Sequence, residues 1–228
     1  MTTTRLEARG LSKAFGRTEA LRAASLRIAA GETVAVTGRS GSGKSTLLLC
    51  LAGILRPEAG EVSYGGRQLA SLSEADRTRL RRREFGIVLQ FGQLVPELSA
   101  VDNVALPLLL DRHDRSAAHR SALGWLERLG ALDLADATPG ELSGGEAQRV
   151  AVARALVTGP SVVFADEPTG ALDTVSGEQV LDALLTAARE SGASVVLVTH
   201  DNRVAAHADR EVVVVDGRIS GADVLAQP

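Results

Sequence analysis

Thr33-Val34-Ala35-Val36-Thr37-Gly38-Arg39-Ser40-Gly41-Ser42-Gly43-Lys44-Ser45 joins a short apolar run to a glycine-spaced loop whose eight residues fit the pattern G-x-x-x-x-G-K-[ST]. The flanks are those of a strand before the loop and a helix starting near Lys44, the context in which this pattern carries chemistry. Glycines let the backbone curl so that successive N–H groups point inward at a phosphate, and the following helix adds the positive end of its dipole. Lys44 then reaches toward terminal phosphates and the Ser45 hydroxyl toward a Mg²⁺ ion. Only Lys13 and Lys44 are lysines among 25 basic residues, so a lysine at this position is informative.

Outward from the loop, glycine and proline punctuation divides the chain into alternating strand-like and helix-like pieces, with no internal repeat. Strand signals lie at Leu6–Ala8, Thr33–Thr37, Val62–Tyr64, Gly86–Leu89, Val162–Ala165, Val195–Val198 and Val212–Val215. Several of these runs are apolar at every position, as expected of a parallel sheet covered on both faces, which points to a doubly wound α/β core. Helical patterning follows Lys44 and recurs around Glu74–Arg83, Ala117–Leu129, Glu146–Val157 and Ser176–Glu190. The stretch from about 91 to 157 holds helices without a convincing strand, so a helical subdomain inserted into that core is expected. At 228 residues the whole chain, 1–228, reads as one domain.

Composition narrows the setting. Apolar residues make up 45% and charged residues 23%, ordinary globular usage, and the net charge of −3 gives no general pull toward nucleic acid, so no nucleic-acid partner is expected. The basic run Arg77–Arg83 reads as a solvated helix face or as a contact for lipid headgroups or another protein. The single cysteine, Cys50, stands among leucines, reads as a small buried apolar residue, and fits a reducing cytoplasm. No stretch approaches the roughly 20 apolar residues a spanning helix needs, and no signal-peptide pattern is present, so the chain is expected neither to cross a membrane nor to leave the cytoplasm by itself.

Val162-Val163-Phe164-Ala165-Asp166-Glu167 is a buried-strand run ending in two acids. It reads either as an acidic turn or as a strand delivering Asp166 to a metal beside the loop, with Glu167 turned toward an attacking water as general base. His200 follows the strand Val195–Thr199 at the carboxyl end where ligands of open α/β sheets collect, and Gln90 follows Gly86–Leu89 in the same way.

Leu142-Ser143-Gly144-Gly145-Glu146-Ala147-Gln148-Arg149-Val150-Ala151-Val152-Ala153-Arg154-Ala155-Leu156 closely resembles the signature motif and helix of ABC-type ATP-binding cassettes. The resemblance extends in family order along nearly the whole chain: phosphate loop, Q-loop at Gln90, signature, Walker B at Val162–Glu167, D-loop at Ala171-Leu172-Asp173 and switch histidine His200. The resemblance implies a P-loop NTPase core with a mostly parallel sheet, an N-terminal antiparallel β subdomain and an inserted α-helical subdomain. It implies ATP contacts from Phe15, which matches the adenine-stacking aromatic, from Gly38, Arg39, Ser40, Gly41, Ser42, Gly43, Lys44, Ser45, Thr46 and Gln90, and from Ser143, Gly144 and Gly145. Ser45, Gln90 and Asp166 are implied to hold Mg²⁺, and Glu167, His200 and Lys44 to carry catalysis.

A homodimer closed around ATP, a separately encoded membrane permease and a location on the inner face of the cell membrane follow from the same resemblance. Asp166–Asp173 and Val101–Pro107 are similar to the branch serving lipoprotein release, macrolide export and division-associated permeases. The chain departs from that branch at Arg39, Leu89 and Glu146, where proline, phenylalanine and glutamine are usual. Phe91, Leu94, Val95 and Leu98 are suited either to receiving a permease helix or to packing the helical subdomain. Two other classes remain open on the residues alone, a soluble cassette acting on nucleic acid or ribosomes and a P-loop kinase or GTPase. The signature run argues against the kinase, and no Asn-Lys-x-Asp stretch supports the GTPase.

Overall fold

The computed structural model describes residues 4–90, 92–170 and 172–220; Phe91 and Ala171, both singled out in the sequence, lie outside the described residues. In chain order the elements are β1 (Thr4–Phe15), β2 (Thr18–Ala29), β3 (Thr33–Thr37), α1 (Lys44–Leu51), β4 (Ala59–Tyr64), β5 (Arg67–Gln68), α2 (Glu74–Glu84) and β6 (Phe85–Val88). They continue with α3 (Ala100–Leu110), α4 (Arg115–Arg128), α5 (Gly144–Leu156), β7 (Val162–Asp166), α6 (Thr174–Ser191), β8 (Ser194–Val198), α7 (Asn202–Ala205), β9 (Arg210–Val215) and β10 (Arg218–Ser220). The chain divides into two compact units, one made of residues up to Arg81 and from Ser194 onward, the other of Arg82–Ala193.

In the first unit, β2, β1, β4 and β5 form an antiparallel sheet in that order. Leu6, Ala8 and Leu11 of β1 and Leu21, Leu26 and Ile28 of β2 bury one face of this ribbon. β2 carries no strand signal in the sequence reading. Its alternation is broken at Ala23, which adopts φ 51° and leaves Leu21 and Ala24 buried three residues apart, the mark of a bulge. β3 is buried at every position and lies between two parallel neighbours, β8 (Val36 opposite Val198) and β9 (Val36 opposite Val212). β10 returns antiparallel on β9 through Asp216-Gly217, both at positive φ, a two-residue turn that matches strand twist.

Cys50 is buried on α1, and desolvation pushes its thiol up to about 11, so it is an inert packing residue. The basic run of α2 is neutralised locally in this unit: Arg77 pairs with Glu74 at 2.6 Å and Arg79 with Asp76 at 3.1 Å, while Arg81 donates to the Gly53 carbonyl at 2.8 Å.

In the second unit β6 and β7 pair in parallel, Val88 opposite Ala165. Helices α3, α4 and α5 lie between residues 100 and 156, and no strand occurs among the described residues between Val88 and Val162. A Cβ on Gly86 of β6 would come 2.4 Å from the Ala155 carbonyl oxygen, so glycine is what lets α5 lie directly on the strand. α3 was not evident as a helix because Pro107 interrupts its pattern; Pro107 sits in the last turn, and Ser99 caps the start by accepting the Asp102 N–H. Arg82 and Arg83 both pair with Asp111 at the end of α3, at 2.9 and 2.8 Å. α6 buries Val180, Leu181, Leu184, Leu185 and Ala188 on one stripe and ends at Gly192, whose φ of 68° suits glycine.

Phe164, wholly buried on β7, meets Phe85 of β6 edge to face with ring centroids 5.2 Å apart. Phe164→Ala is expected to cost about 3–5 kcal/mol, whereas Leu123→Ala at an exposed site stays within about 0.5 kcal/mol. Urea denaturation measures both, and a Phe164→Ala cost below about 1 kcal/mol would contradict this placement of the core.

Candidate nucleotide site

β3 ends at Thr37, whose hydroxyl donates to Glu211 on β9 at 2.6 Å, and the chain turns into the glycine loop. Gly38 (φ 139°) and Gly43 (φ 109°) take backbone angles closed to other residues. Sterics are equally firm: a Cβ at Gly38 would stand 2.3 Å from the Val214 carbonyl oxygen, and one at Gly43 would stand 2.2 Å from that of Ala20. Gly217 donates its N–H to the Ser42 carbonyl at 2.9 Å, so the β9–β10 turn closes the third side.

The loop delivers α1 with its N-terminal N–H groups uncapped by any side chain and no acid in the first turn. An anion is the natural complement of such an end. Lys44 is 8% exposed, and its ammonium donates to the carbonyls of Gly38 and Arg39 at 2.9 and 3.0 Å, inside the curl of the loop. The Ser42 hydroxyl is buried without a hydrogen-bond partner in the structure. A glycine cradle, a positive helix end, a held ammonium and an orphaned hydroxyl together fit a polyphosphate. Arg39, Ser40, Gly41 and Ser45 are exposed and Thr46 is half-buried.

His200 leaves the same end of the sheet as the loop. Val36 faces Val198 in the parallel register, so Gly38 and His200 each lie two residues beyond a paired position on adjacent strands. Asp201 next to it accepts from Arg203 by side chain and backbone, which holds its carboxyl below the usual carboxylate range. Phe15, at the end of β1, is 53% exposed with the Lys13 ammonium 5.7 Å from its ring centroid. It is therefore a presented ring and not a core aromatic.

The second unit carries the other motif residues. Asp166 is the last residue of β7 and is 8% exposed, while Glu167 turns out of the strand at φ 48°. A non-glycine residue in the left-handed region costs about 1–3 kcal/mol, and such strain gathers at functional sites. The turn is closed by the Gly170 N–H on the Glu167 carbonyl at 3.1 Å. Gln90 stands two residues past Val88 and Glu167 two past Ala165, its paired residue, so both leave the same end of the β6–β7 pair. Among the described residues no cluster of three metal-ligating side chains exists. Mg²⁺ characteristically takes one or two protein ligands and completes its shell with substrate phosphates and water, so single carboxyl, amide and hydroxyl donors fit it.

Ser143 caps α5: its hydroxyl accepts the Glu146 N–H at 3.3 Å, and the Glu146 carboxylate accepts the Ser143 N–H at 2.7 Å. A Cβ at Gly145 would come 2.7 Å from Leu172, the second residue of the Ala171-Leu172-Asp173 stretch, so glycine permits that approach. Asp173 caps α6, accepting from the N–H groups of Val175 and Ser176 at 3.0 Å each.

Two contributors were not singled out in the sequence. Asn103 is wholly buried on α3; its carbonyl accepts the Val95 N–H at 2.8 Å and its amide donates to the carbonyls of Val95, Leu98 and Ser99. Arg154 of α5 donates to the carbonyls of Gly92 and Gln93. A lone Asn in an apolar helical run was the available signal for the first. The second carried none beyond its place in the signature helix.

The family model described as ABC transporter matches residues 21–170. The chain belongs to the ABC transporter family. It is 47% identical over 218 residues to the lipoprotein-releasing system ATP-binding protein LolD of Bordetella pertussis, covering 94% of each chain. It is 48% identical over 200 residues to LolD of Chromohalobacter salexigens, covering 88% of this chain and 84% of that one. Against the macrolide export ATP-binding/permease protein MacB of Sodalis glossinidius it is 44% identical over 223 residues, 96% of this chain and 34% of that larger protein. Among solved structures, the dimeric post-hydrolysis state of the ATP-binding cassette MJ0796 bound to ADP and Pi superposes with a TM-score of 0.90 at 35% identity, covering 95% of this chain and 97% of that one. The cassette fold expected from the motifs is therefore the fold of this protein.

Glu146, where glutamine is usual, makes the signature cap charged. The Ser143 backbone N–H, the Ser143 side chain and the charge of Arg149 hold its carboxyl below the usual 4.5. A depressed folded value contributes stability that is present above about pH 4.5 and is lost as pH falls through the lowered value. Glu146→Gln is expected to be less stable than the parent at pH 6, with the gap closing toward pH 3. Urea titrations across that range decide it, and a pH-independent gap would refute the charged cap.

Proposed function

We propose that this chain is the ATP-binding and ATP-hydrolysing subunit of an ABC transporter, working as a pair with a second copy and driving a separately encoded permease in lipoprotein release or an export process like it. The observation that carries the reading is the glycine cradle around Lys44 at an uncapped helix start. The naming of its relatives as ATP-binding proteins of a lipoprotein-releasing system and of macrolide export, and the ADP and Pi of its structural neighbour, support the nucleotide and the transport setting. A position on the cytoplasmic face of the membrane follows from that setting.

In this reading the loop N–H groups and Lys44 bind the β- and γ-phosphates, the ammonium exchanging the carbonyls of Gly38 and Arg39 for phosphate oxygens. Phe15 stacks on the base, its exposure being what stacking requires. Ser45, Gln90 and Asp166 hold Mg²⁺, which when bound neutralises charge on the phosphate oxygens. Glu167 orients the attacking water and takes its proton; its left-handed backbone, turning away from the strand that ends in Asp166, supports a separate duty for the two acids. His200 bonds the terminal phosphate as charge shifts during transfer. Ser143, Gly144 and Gly145 serve the nucleotide of the second copy, presenting donors at the start of α5. Leu94, Val95 and Leu98 receive the permease.

Lys44→Ala is expected to abolish binding of ATP, read by a fluorescent nucleotide analogue, and a parent-like affinity would overturn the site. Glu167→Gln should bind ATP normally while turnover falls by about 10²–10⁴ and the protein runs as a dimer in Mg·ATP. Normal turnover in that variant would remove Glu167 from the role of base.

A further inference from the structure

The turn that carries Gln90 is gripped from α5. The Gly92 N–H returns to the Leu89 carbonyl at 3.1 Å, folding the chain back just past Gln90. The turn continues through two consecutive left-handed residues, Gly92 at φ 69° and Gln93 at φ 45°. A glutamine in that region persists only where its surroundings hold it. Here the hold is Arg154, whose Nη2 donates to the Gly92 carbonyl at 2.8 Å and Nη1 to the Gln93 carbonyl at 3.1 Å.

Arg154 is half-buried, and desolvation pulls its guanidinium below the usual arginine value, so the charge has been taken from water and given to two main-chain oxygens. The same helix face meets the turn twice more: a Cβ on Gly92 would stand 3.1 Å from the Ala147 carbonyl oxygen and 3.4 Å from the Ala151 Cβ. Ala147, Ala151 and Arg154 recur at helical spacing, one stripe of α5 laid along the loop. Starting two residues past Gln93, Asn103 pins Val95, Leu98 and Ser99 by a separate set of bonds. Arg154 thus holds the main chain at Gly92 and Gln93, and Asn103 holds it from Val95 to Ser99.

We infer that Arg154 is a positioning residue: it latches the Gln90 turn to the signature helix, so that Gln90 reaches its ligand only while α5 keeps its place. This rests on the reading of Gln90 as a Mg²⁺ contact. The fork meets the two carbonyls from two separate nitrogens held in one plane, a fixed geometry that the single ammonium on a flexible lysine stem does not reproduce.

Arg154→Lys and Gly92→Ala test it on the full chain, the first loosening the latch from the helix and the second displacing the loop with α5 left intact. Both should raise the Mg²⁺ concentration for half-maximal ATP hydrolysis by roughly tenfold, as loss of supporting bonds around metal ligands does, with kcat at saturating Mg²⁺ within about twofold of the parent. Amide hydrogen exchange across residues 92–95 should quicken by about tenfold, with exchange in α3 and α6 unchanged. An arginine that merely stabilises α5 would instead lower the melting temperature and the active fraction, cutting kcat with the Mg²⁺ requirement unmoved, and that result overturns the latch. So does unchanged exchange across residues 92–95. A parent chain without Mg²⁺-dependent hydrolysis overturns the functional reading instead, and the exchange measurement then still decides whether Arg154 holds the turn.

Discussion

Close approach of bare backbone to the phosphate loop is the constraint on which the rest of the structure depends. Gly38 lies against the Val214 carbonyl of β9 and Gly43 against the Ala20 carbonyl of β2, each at a distance no side chain tolerates. With Gly217 bonded to Ser42, two strands and the β9–β10 turn fix a loop that has no regular hydrogen-bond pattern of its own. A phosphate site of converging N–H groups works only if those like dipoles do not turn away from one another, and the surrounding frame supplies the rigidity. Lys44 then rests on carbonyls of the loop it serves, so its charge is desolvated without being neutralised by a carboxylate.

The second unit solves a different problem, which is to aim several polar groups in different directions from short elements. β7 delivers Asp166 along the strand direction, and the left-handed step at Glu167 turns the next carboxylate elsewhere. Capping does similar work at the helix starts. Ser143 with Glu146, Thr138 with Glu141, and Asp173 with Val175 and Ser176 each satisfy donors by side chains a few residues away. The carboxyls of Glu141, Glu146 and Asp173 are all held below their usual values by these bonds, so the caps are charged at neutral pH. α5 therefore starts in a capping box and, about three turns on, fastens the turn that bears Gln90.

Much of this was legible in the sequence. The strands from β3 onward that are buried at each step, Thr33–Thr37, Val162–Asp166 and Ser194–Val198, announced themselves by unbroken apolar runs between their polar ends, since burial on both faces removes the need for alternation. β2 did not, since its alternation skips at Ala23, and the alanines and arginines of Leu21–Ile28 carry little strand preference. α3 was hidden by Pro107, which cannot donate the i→i−4 bond of a helical residue, yet the helix runs on from its Ser99 cap to Leu110. The extent of β1, twelve residues where three were evident, reflects pairing with β2 and β4 on its two edges and not local propensity.

Sequence by itself determined the kind of chemistry: glycines at fixed spacing, a lysine and serine at a helix start, acids at a strand end and a Ser-Gly-Gly helix start are local patterns whose meaning survives without coordinates. Tertiary structure alone decided which backbone atoms those residues meet. That Gly38 faces Val214, that Asn103 answers four main-chain groups and that Arg154 spans two carbonyls sixty-odd residues back along the chain are facts of packing. A carbonyl oxygen is the same in every residue, so an interaction with the main chain leaves no mark on the identity of the residue that accepts it. The sequence names each donor's residue type; which carbonyl it holds is decided by packing.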